Sequence, residues 1–250
     1  MKDLLYYTIG FSASYIQVIQ LSINTVRISG WTGDIAIICD HSLIDECKKI
    51  IGYSVIYLPI TDSKTPEGAS MNKLHIFDFP IVSTYDRVMF LDGDIVVHMD
   101  LSGLFSGITS NNVLYVCTES TKHDDHRFIY WSLESYTPSQ LAYLKDNSIH
   151  VFNAGTFAFI PSVDMKEHFD NVLNMISSHH GRFFYEQSFM NVYFNLINRT
   201  DRTVFTEKCY VFDHGERNHM GKLIHFAGNP GNGMNKHTEM SLYINRYLTS

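Results

Sequence analysis

The stretch Arg87–His98, RVMFLDGDIVVH, decides how this chain is read. Val88 to Leu91 are four apolar residues in a row, the pattern of a strand buried on both faces at the centre of a largely parallel sheet. The run ends in Asp92-Gly93-Asp94 and resumes as Ile95-Val96-Val97. In open α/β sheets ligands bind just beyond the carboxyl ends of the strands, which is where this acidic pair falls. Asp92 and Asp94 stand at i and i+2, which on extended backbone face the same side, and Gly93 between them permits a bend that turns both toward one point. Such a point suits a hard divalent cation, which prefers oxygen ligands.

The bulk numbers agree with a globular α/β chain. There are 250 residues, 45% of them hydrophobic and 18% charged, enough for a sizeable core in one domain spanning 1–250. The formal net charge of −7 argues against nucleic-acid binding, which calls for a basic face. It also means that an anionic ligand needs a local device, such as a metal or a placed lysine. Cys39, Cys47, Cys117 and Cys209 form no CxxC pair and read as reduced, structural thiols. No signal peptide and no transmembrane run is seen, so the expected location is cytoplasmic.

Outward from the centre, Leu4–Ile9 reads as a strand, and Ser12 or Ser14 as the cap of a helix running to about Ser29. Asp34–Cys39, Ser42–Ile51 and Ser54–Leu58 read as strand, helix and strand, which completes a Rossmann-like βαβαβ opening. No GxGxxG follows the first strand, so a dinucleotide is not indicated. Thr61–Ser70 reads as a polar loop and Met71–Phe79 as a helix ended by Pro80. Beyond the centre, Leu101–Phe105 is expected to be a short helix, Val113–Thr118 a strand, and Val151–Pro161 a strand pair or a bulged strand about Asn153-Ala154-Gly155. Val163–Ser178, Tyr185–Ile197 and Thr238–Leu248 read as helices, and Lys222–Phe226 as a strand ending at His225. His123-Asp124-Asp125-His126 carries metal-ligating side chains, but adjacent residues rarely point at one centre, so a solvated loop is preferred. The aromatic runs Phe128–Trp131 and Phe183–Tyr185 suit stacking on a saccharide or, more simply, core packing.

Five segments occur in an order that resembles glycosyltransferase family 8, the glycogenin and galactinol-synthase group. They are NKLH at 72–75, FLDGDIVV, FNAGTFAFIPS at 152–162, YEQSFMNVYF at 185–194 and IHFAGNPG at 224–231. The resemblance covers nearly the whole chain. It implies a GT-A fold, a mixed and mostly parallel central sheet flanked by helices. It departs from the family pattern at Glu186-Gln187, where many members carry Asp-Gln, and at GNPGNGMNKH, which replaces the family's KPW.

The resemblance further implies a retaining, metal-dependent hexosyltransferase. Asp92, Asp94 and His225 would hold Mn²⁺, or Mg²⁺, on the diphosphate of a UDP-sugar, with Gly93 and Gly228 in the same segments. Carboxylates suit either ion, and one imidazole shifts the preference toward Mn²⁺. Lys73 matches the basic residue placed near the donor phosphates or sugar, and Lys236 stands in for the lysine of the missing KPW. Thr8, Gly10 and Tyr15 fall where the family holds uracil and ribose. Asn153, Ala154 and Gly155 resemble the segment lining the transferred sugar, and Glu186 and Gln187 the pair beside the anomeric carbon. Each also has a plainer reading: Lys73 on a solvated helix face, Tyr15 in the core, Glu186 as charge at a helix N-terminus. The expected partners are the nucleotide-sugar donor and a glycan or glycoprotein acceptor. The sugar, the acceptor and the oligomeric state are not legible. The competing readings are a catalytically silent sugar- or nucleotide-binding relative and, less favoured because TIGFSAS is no Gly-rich phosphate loop, a sugar nucleotidyltransferase. Tyr210 lies where a self-glycosylated tyrosine could sit, as one of fifteen.

Overall fold

The structure is a computed structural model that describes residues 1–61, 63, 65–118, 137–146, 151–178, 185–212, 218–228 and 235–249. The expectations for 123–126, 128–131 and 183–184 lie outside these residues. The chain opens with β1 (Asp3–Ile9), α1 (Ser14–Ile28), β2 (Asp34–Asp40), α2 (Ile44–Ile50) and β3 (Ile56–Ile60). β1 pairs in parallel with β2, and β2 with β3, so the βαβαβ opening stands as expected. Its apolar runs explain it: every residue of β2 after Asp34 is buried, and each such aliphatic side chain contributes about 1.5–3 kcal/mol. Of the two expected serine caps Ser12 serves, its Oγ accepting from Ser14 N–H at 3.4 Å. The residue before α1 is Ala13, which makes no side-chain cap, while Ser12 and Ser14 hydrogen-bond one another at 2.8 Å.

α3 (Pro66–Met71) occupies much of the expected polar loop. It starts at Thr65, whose hydroxyl accepts from Gly68 N–H at 3.0 Å, with Pro66 in the first turn. It runs into a 3₁₀ segment, Asn72–Asp78, in place of the expected α-helix, and a second follows at Pro80–Thr84. Asn72, Lys73, Leu74 and Ile76 of the first segment are buried.

The decisive stretch is two strands, not one resumed. β4 (Arg87–Leu91) is buried at every position and pairs in parallel with β1. β5 (Ile95–His98) leaves that sheet and pairs antiparallel with a later strand. After α4 (Ser102–Gly107), β6 (Leu114–Thr118) and α5 (Pro138–Asp146) comes β7 (Phe152–Phe159), antiparallel to both β4 and β6. α6 (Val163–Ser177) and α7 (Tyr185–Leu196) are followed by the short strands β8 (Thr200–Asp201) and β9 (Cys209–Val211), then β10 (Lys222–His225) and α8 (Lys236–Tyr247). Among the described residues the large mixed sheet has seven strands in the order β3-β2-β1-β4-β7-β6-β8, and a small sheet has the order β5-β10-β9.

Two apolar layers cover the large sheet. One holds Leu5, Tyr7, Ile19, Met89 and Leu91 under α1; the other holds Tyr6, Phe90, Phe157, Phe159 and Phe169 toward α6 and α7. A third cluster, with Val18, Val96, Ile224, Phe226 and Tyr243, seals α8 and α1 onto the small sheet. α1 therefore packs on both sheets at the point where Asp92-Gly93-Asp94 passes between them.

Candidate functional site

Asp92 and Asp94 are fixed by backbone pairing on either side of the crossing. Asp92 N–H donates to Gly155 C=O at 2.7 Å, which extends the β4–β7 ladder by one residue, and Phe226 N–H donates to Asp94 C=O at 2.9 Å. The chain turns at Gly93 as expected, with Ile95 N–H donating to Asp92 C=O at 3.2 Å, and it does so without a left-handed φ. A Cβ there would lie 2.4 Å from Ile19 of α1, so Gly93 is required by close approach. His225 ends β10 opposite Ile95. The result is one carboxylate oxygen from each aspartate and an imidazole nitrogen of His225, all within 4.8 Å of one another.

His225 Nε2 lies 3.1 Å from Asp94 Oδ1 and 3.7 Å from Asp92 Oδ2, and Lys236 Nζ donates to Asp94 Oδ2. Burial pushes the His225 ring toward a lower pKa, but Asp94 and Asp92 outweigh it and hold the ring above its usual value. Burial likewise pushes the Asp94 carboxyl up, and His225 and Lys236 together hold it well below the usual carboxylate range. Gly155 closes the ring formed by these three side chains. A Cβ there would come within 2.7 Å of Asn153 Oδ1, Asp92 Oδ2 and His225 Cε1. Two hard oxygens, one imidazole and a wall that no side chain fills fit a divalent cation of the Mn²⁺ or Mg²⁺ kind.

The bulge expected at 153–155 is what frees Gly155. β6 pairs Val116 with Phe157 and then Cys117 with Asn153, so Ala154, Gly155 and Thr156 drop out of that ladder toward Asp92. Asn153 Oδ1 accepts from Gly155 N–H at 2.7 Å, and Gln187 Oε1 accepts from Ala154 N–H at 3.0 Å. Asn191, one turn along α7 from Gln187, brackets the start of β7: its Oδ1 takes Phe152 N–H and its Nδ2 donates to Phe152 C=O, each at 2.8 Å.

Lys73 is buried, and the solvated-face reading fails. Its ammonium lies 2.7 Å from Glu186 Oε1 and 3.3 Å from Asp92 Oδ1, and donates to Ala154 C=O at 3.2 Å. It also sits 4.6 Å above the Phe90 ring. Burial pushes this lysine down, yet Asp92 and Glu186 raise it to about 12. Glu186 is itself 4% exposed, and its Oε2 has no hydrogen-bond partner among the described residues.

Two cavities flank this group. One, of about 270 Å³, is walled by Thr8, Gly10, Tyr15, Asp92, Asp94 and Lys236 among others. Tyr15 is thus a cavity residue, 40% exposed, and not core. The second, of about 290 Å³, is lined by Asn153, Thr156, Cys117, Cys209, Tyr210 and His225 among others. The structure therefore joins Asp92, Gly93, Asp94, Lys73, Asn153, Ala154, Gly155, Glu186, Gln187, His225 and Lys236, with Thr8, Gly10 and Tyr15 alongside. Gly228 is apart from them: it lines neither cavity, and its φ of +77° marks it as a turn residue. The sequence reading missed Pro66, Ala69 and Ser70, which wall the first cavity from α3. The Thr65-Pro66 pair was the available signal, a helix cap followed by proline. It also assigned no role to Asn191, although a polar residue 1% exposed on an apolar helix must be satisfying something.

The model of glycosyl transferase family 8 matches residues 34–229. No curated protein matches the sequence. Among solved structures, the apo WbbM bifunctional glycosyltransferase is similar at TM-score 0.62 and 14% identity over 98% of this chain and 50% of its own, so this chain spans half the length of that relative. The galactosyltransferase LgtC, solved with donor and acceptor sugar analogues, is similar at TM-score 0.62 and 10% identity over 99% of this chain and 97% of its own. The glycosyltransferase GlyE of Streptococcus pneumoniae TIGR4, in its apo form, gives TM-score 0.60 and 14% identity over 98% of this chain and 63% of its own. At these identities the likeness establishes the GT-A fold.

Proposed function

The chain belongs to glycosyl transferase family 8, and from that premise we propose that it moves a hexose, with retained configuration, from a UDP-sugar to a hydroxyl of a saccharide or protein-linked acceptor. The observation that carries this reading is the convergence of Asp92, Asp94 and His225 within 4.8 Å, between a cavity walled by Thr8, Gly10 and Tyr15 and the Lys73–Glu186 pair.

On this reading Asp92, Asp94 and His225 hold a divalent cation, Mn²⁺ in preference to Mg²⁺. Such a cation would supply Lewis-acid charge neutralisation at the donor diphosphate. Thr8, Gly10 and Tyr15 receive the nucleoside, and Lys236 reaches the diphosphate from the same cavity wall. Asn153 and Gln187, each fixed by an amide oxygen on the β7 backbone, turn toward the hydroxyls of the sugar. Glu186 is held by Lys73 and stabilises positive charge at the anomeric carbon electrostatically, with no covalent bond to the sugar. The bond from that carbon to the phosphate oxygen breaks as the bond to the acceptor oxygen forms on the same face. The leaving phosphate takes the acceptor proton.

The test is calorimetric titration with UDP and with GDP, each with and without Mn²⁺. The expected result is binding of UDP only with Mn²⁺, lost in Asp94→Asn; hydrolysis of a panel of UDP-sugars then names the hexose. Binding of neither nucleotide under any metal would overturn the reading and leave a silent relative that takes glycans.

A further inference from the structure

Asp94 is doubly engaged. Its Oδ1 faces His225 at 3.1 Å, and its Oδ2 accepts from the Lys236 ammonium. A cation entering the trio must take Asp94 from both, and it enters beside a standing positive charge, which repels it.

The two lysines at the site differ in how they are held. Lys73 is shared among Glu186, Asp92 and Ala154 C=O and is 4% exposed, so it stays where it is. Lys236 contacts Asp94, and its side chain, 20% exposed, lies on the wall of the cavity read above as the nucleotide site. It stands in the first turn of α8, where Asn235 Oδ1 accepts from Thr238 N–H at 2.9 Å. α8 is anchored by Met240, Tyr243 and Ile244 in the cluster that also holds Val18 of α1. The root of the side chain is thus fixed while its four-carbon stem is free to swing.

We propose that Lys236 is an internal, displaceable counter-ion: it neutralises Asp94 while the metal is absent, and passes to the diphosphate when metal and nucleotide enter together. The nucleotide half rests on the proposed function; the metal half rests only on the Asp92, Asp94 and His225 trio. The consequence is positive coupling. Metal alone binds weakly because it must evict a cation, and the diphosphate strengthens it by giving that cation a new partner. By linkage the metal strengthens nucleotide binding by the same factor.

The test is calorimetry on the wild type, Lys236→Met and, as a charge-matched control, Lys166→Met, whose lysine pairs with Asp170 on α6. Lys236→Met should bind Mn²⁺ alone about tenfold tighter, the scale of one close charge pair, and bind UDP at saturating Mn²⁺ about tenfold weaker. Lys166→Met should match the wild type in both. In the metal-free proteins, the melting-temperature losses of Lys236→Met and Asp94→Asn should be non-additive, as for groups in direct contact. Unchanged or weaker Mn²⁺ binding by Lys236→Met, or a gain equally shown by Lys166→Met, would overturn the proposal. Tighter Mn²⁺ with unchanged UDP binding would overturn the hand-over to the diphosphate. Failure of wild type and variant alike to bind Mn²⁺ would instead overturn the metal reading of the trio, and this proposal with it.

Discussion

Lys73 Nζ lies 2.7 Å from Glu186 Oε1, and the two side chains are each 5% exposed. A 3₁₀ segment before β4 and the first turn of α7 thus meet through one buried ion pair. Replacing one partner of such a pair leaves the other charged and uncompensated in the interior. Lys73→Met should therefore cost about 3–5 kcal/mol in denaturant unfolding. Lys73→Met/Glu186→Gln should recover part of that loss, since the stranded carboxylate is gone. Recovery of stability without recovery of sugar transfer would separate the structural duty of the pair from its chemical one.

Gly155→Ala should abolish Mn²⁺ binding. The added methyl would sit 2.7 Å from the side-chain ends of Asn153, Asp92 and His225, so two of the proposed ligands must swing away from the shared point to make room for it. Gly103→Ala, in α4 where nothing lies within 4 Å of the new Cβ, should bind Mn²⁺ normally and gain about 0.5–1 kcal/mol. Circular dichroism should report both variants folded.

Arg87 makes a two-toothed pair with Asp3, Nε to Oδ1 at 2.7 Å and Nη2 to Oδ2 at 2.8 Å, and donates from Nη1 to Phe105 C=O at 2.7 Å. Lysine has one ammonium and no fork. Arg87→Lys should lose about 1–3 kcal/mol of stability while leaving UDP and Mn²⁺ affinity unchanged, because it touches the opposite end of β1 and β4.

His98 ends β5, with Nδ1 3.4 Å from Tyr243 OH. Burial, and then the neighbouring His219, hold its pKa below 6.5. The unfolded chain therefore takes up this proton first as pH falls. Stability is full above the unfolded value near 6.5 and declines from there toward the lower folded value. Between pH 7.5 and 5.5, His98→Gln should lose less melting temperature than the wild type. His168, also held low by burial, and His225, held high by Asp94, titrate in both proteins and cancel in the difference.

What the sequence made legible followed from burial that leaves a pattern. Val88 to Leu91, and the runs in β1 and β2, are apolar because both faces of the sheet are covered, and a covered strand needs no partner to be recognised. Asp92 and Asp94 were marked by their place at the end of such a run, whereas His225 joined them only through the resemblance to the family. What stayed hidden depends on long-range pairing. That Ile95–His98 belongs to another sheet is decided by Leu223, Ile224 and their register, 126 or more residues away. The burial of Lys73 needs carboxylates supplied from the residue that follows β4 and from α7, neither of which a local window contains. α3 was missed for a local reason: Gly68 and the polar residues around it outweighed the cap at Thr65.

The trio takes Asp92 from the end of one sheet and His225 from the end of another, with α1 wedged against both. The spacing of the ligands is thereby a calliper reading of the gap between two independently built jaws. On the proposed metal reading, the radius of the cation that fits is set not only by what the three side chains are, but by how tightly Val18 and Ile19 hold the jaws together. Trimming Ile19, a residue with no ligating atom, would retune the preference among cations of equal charge and different size.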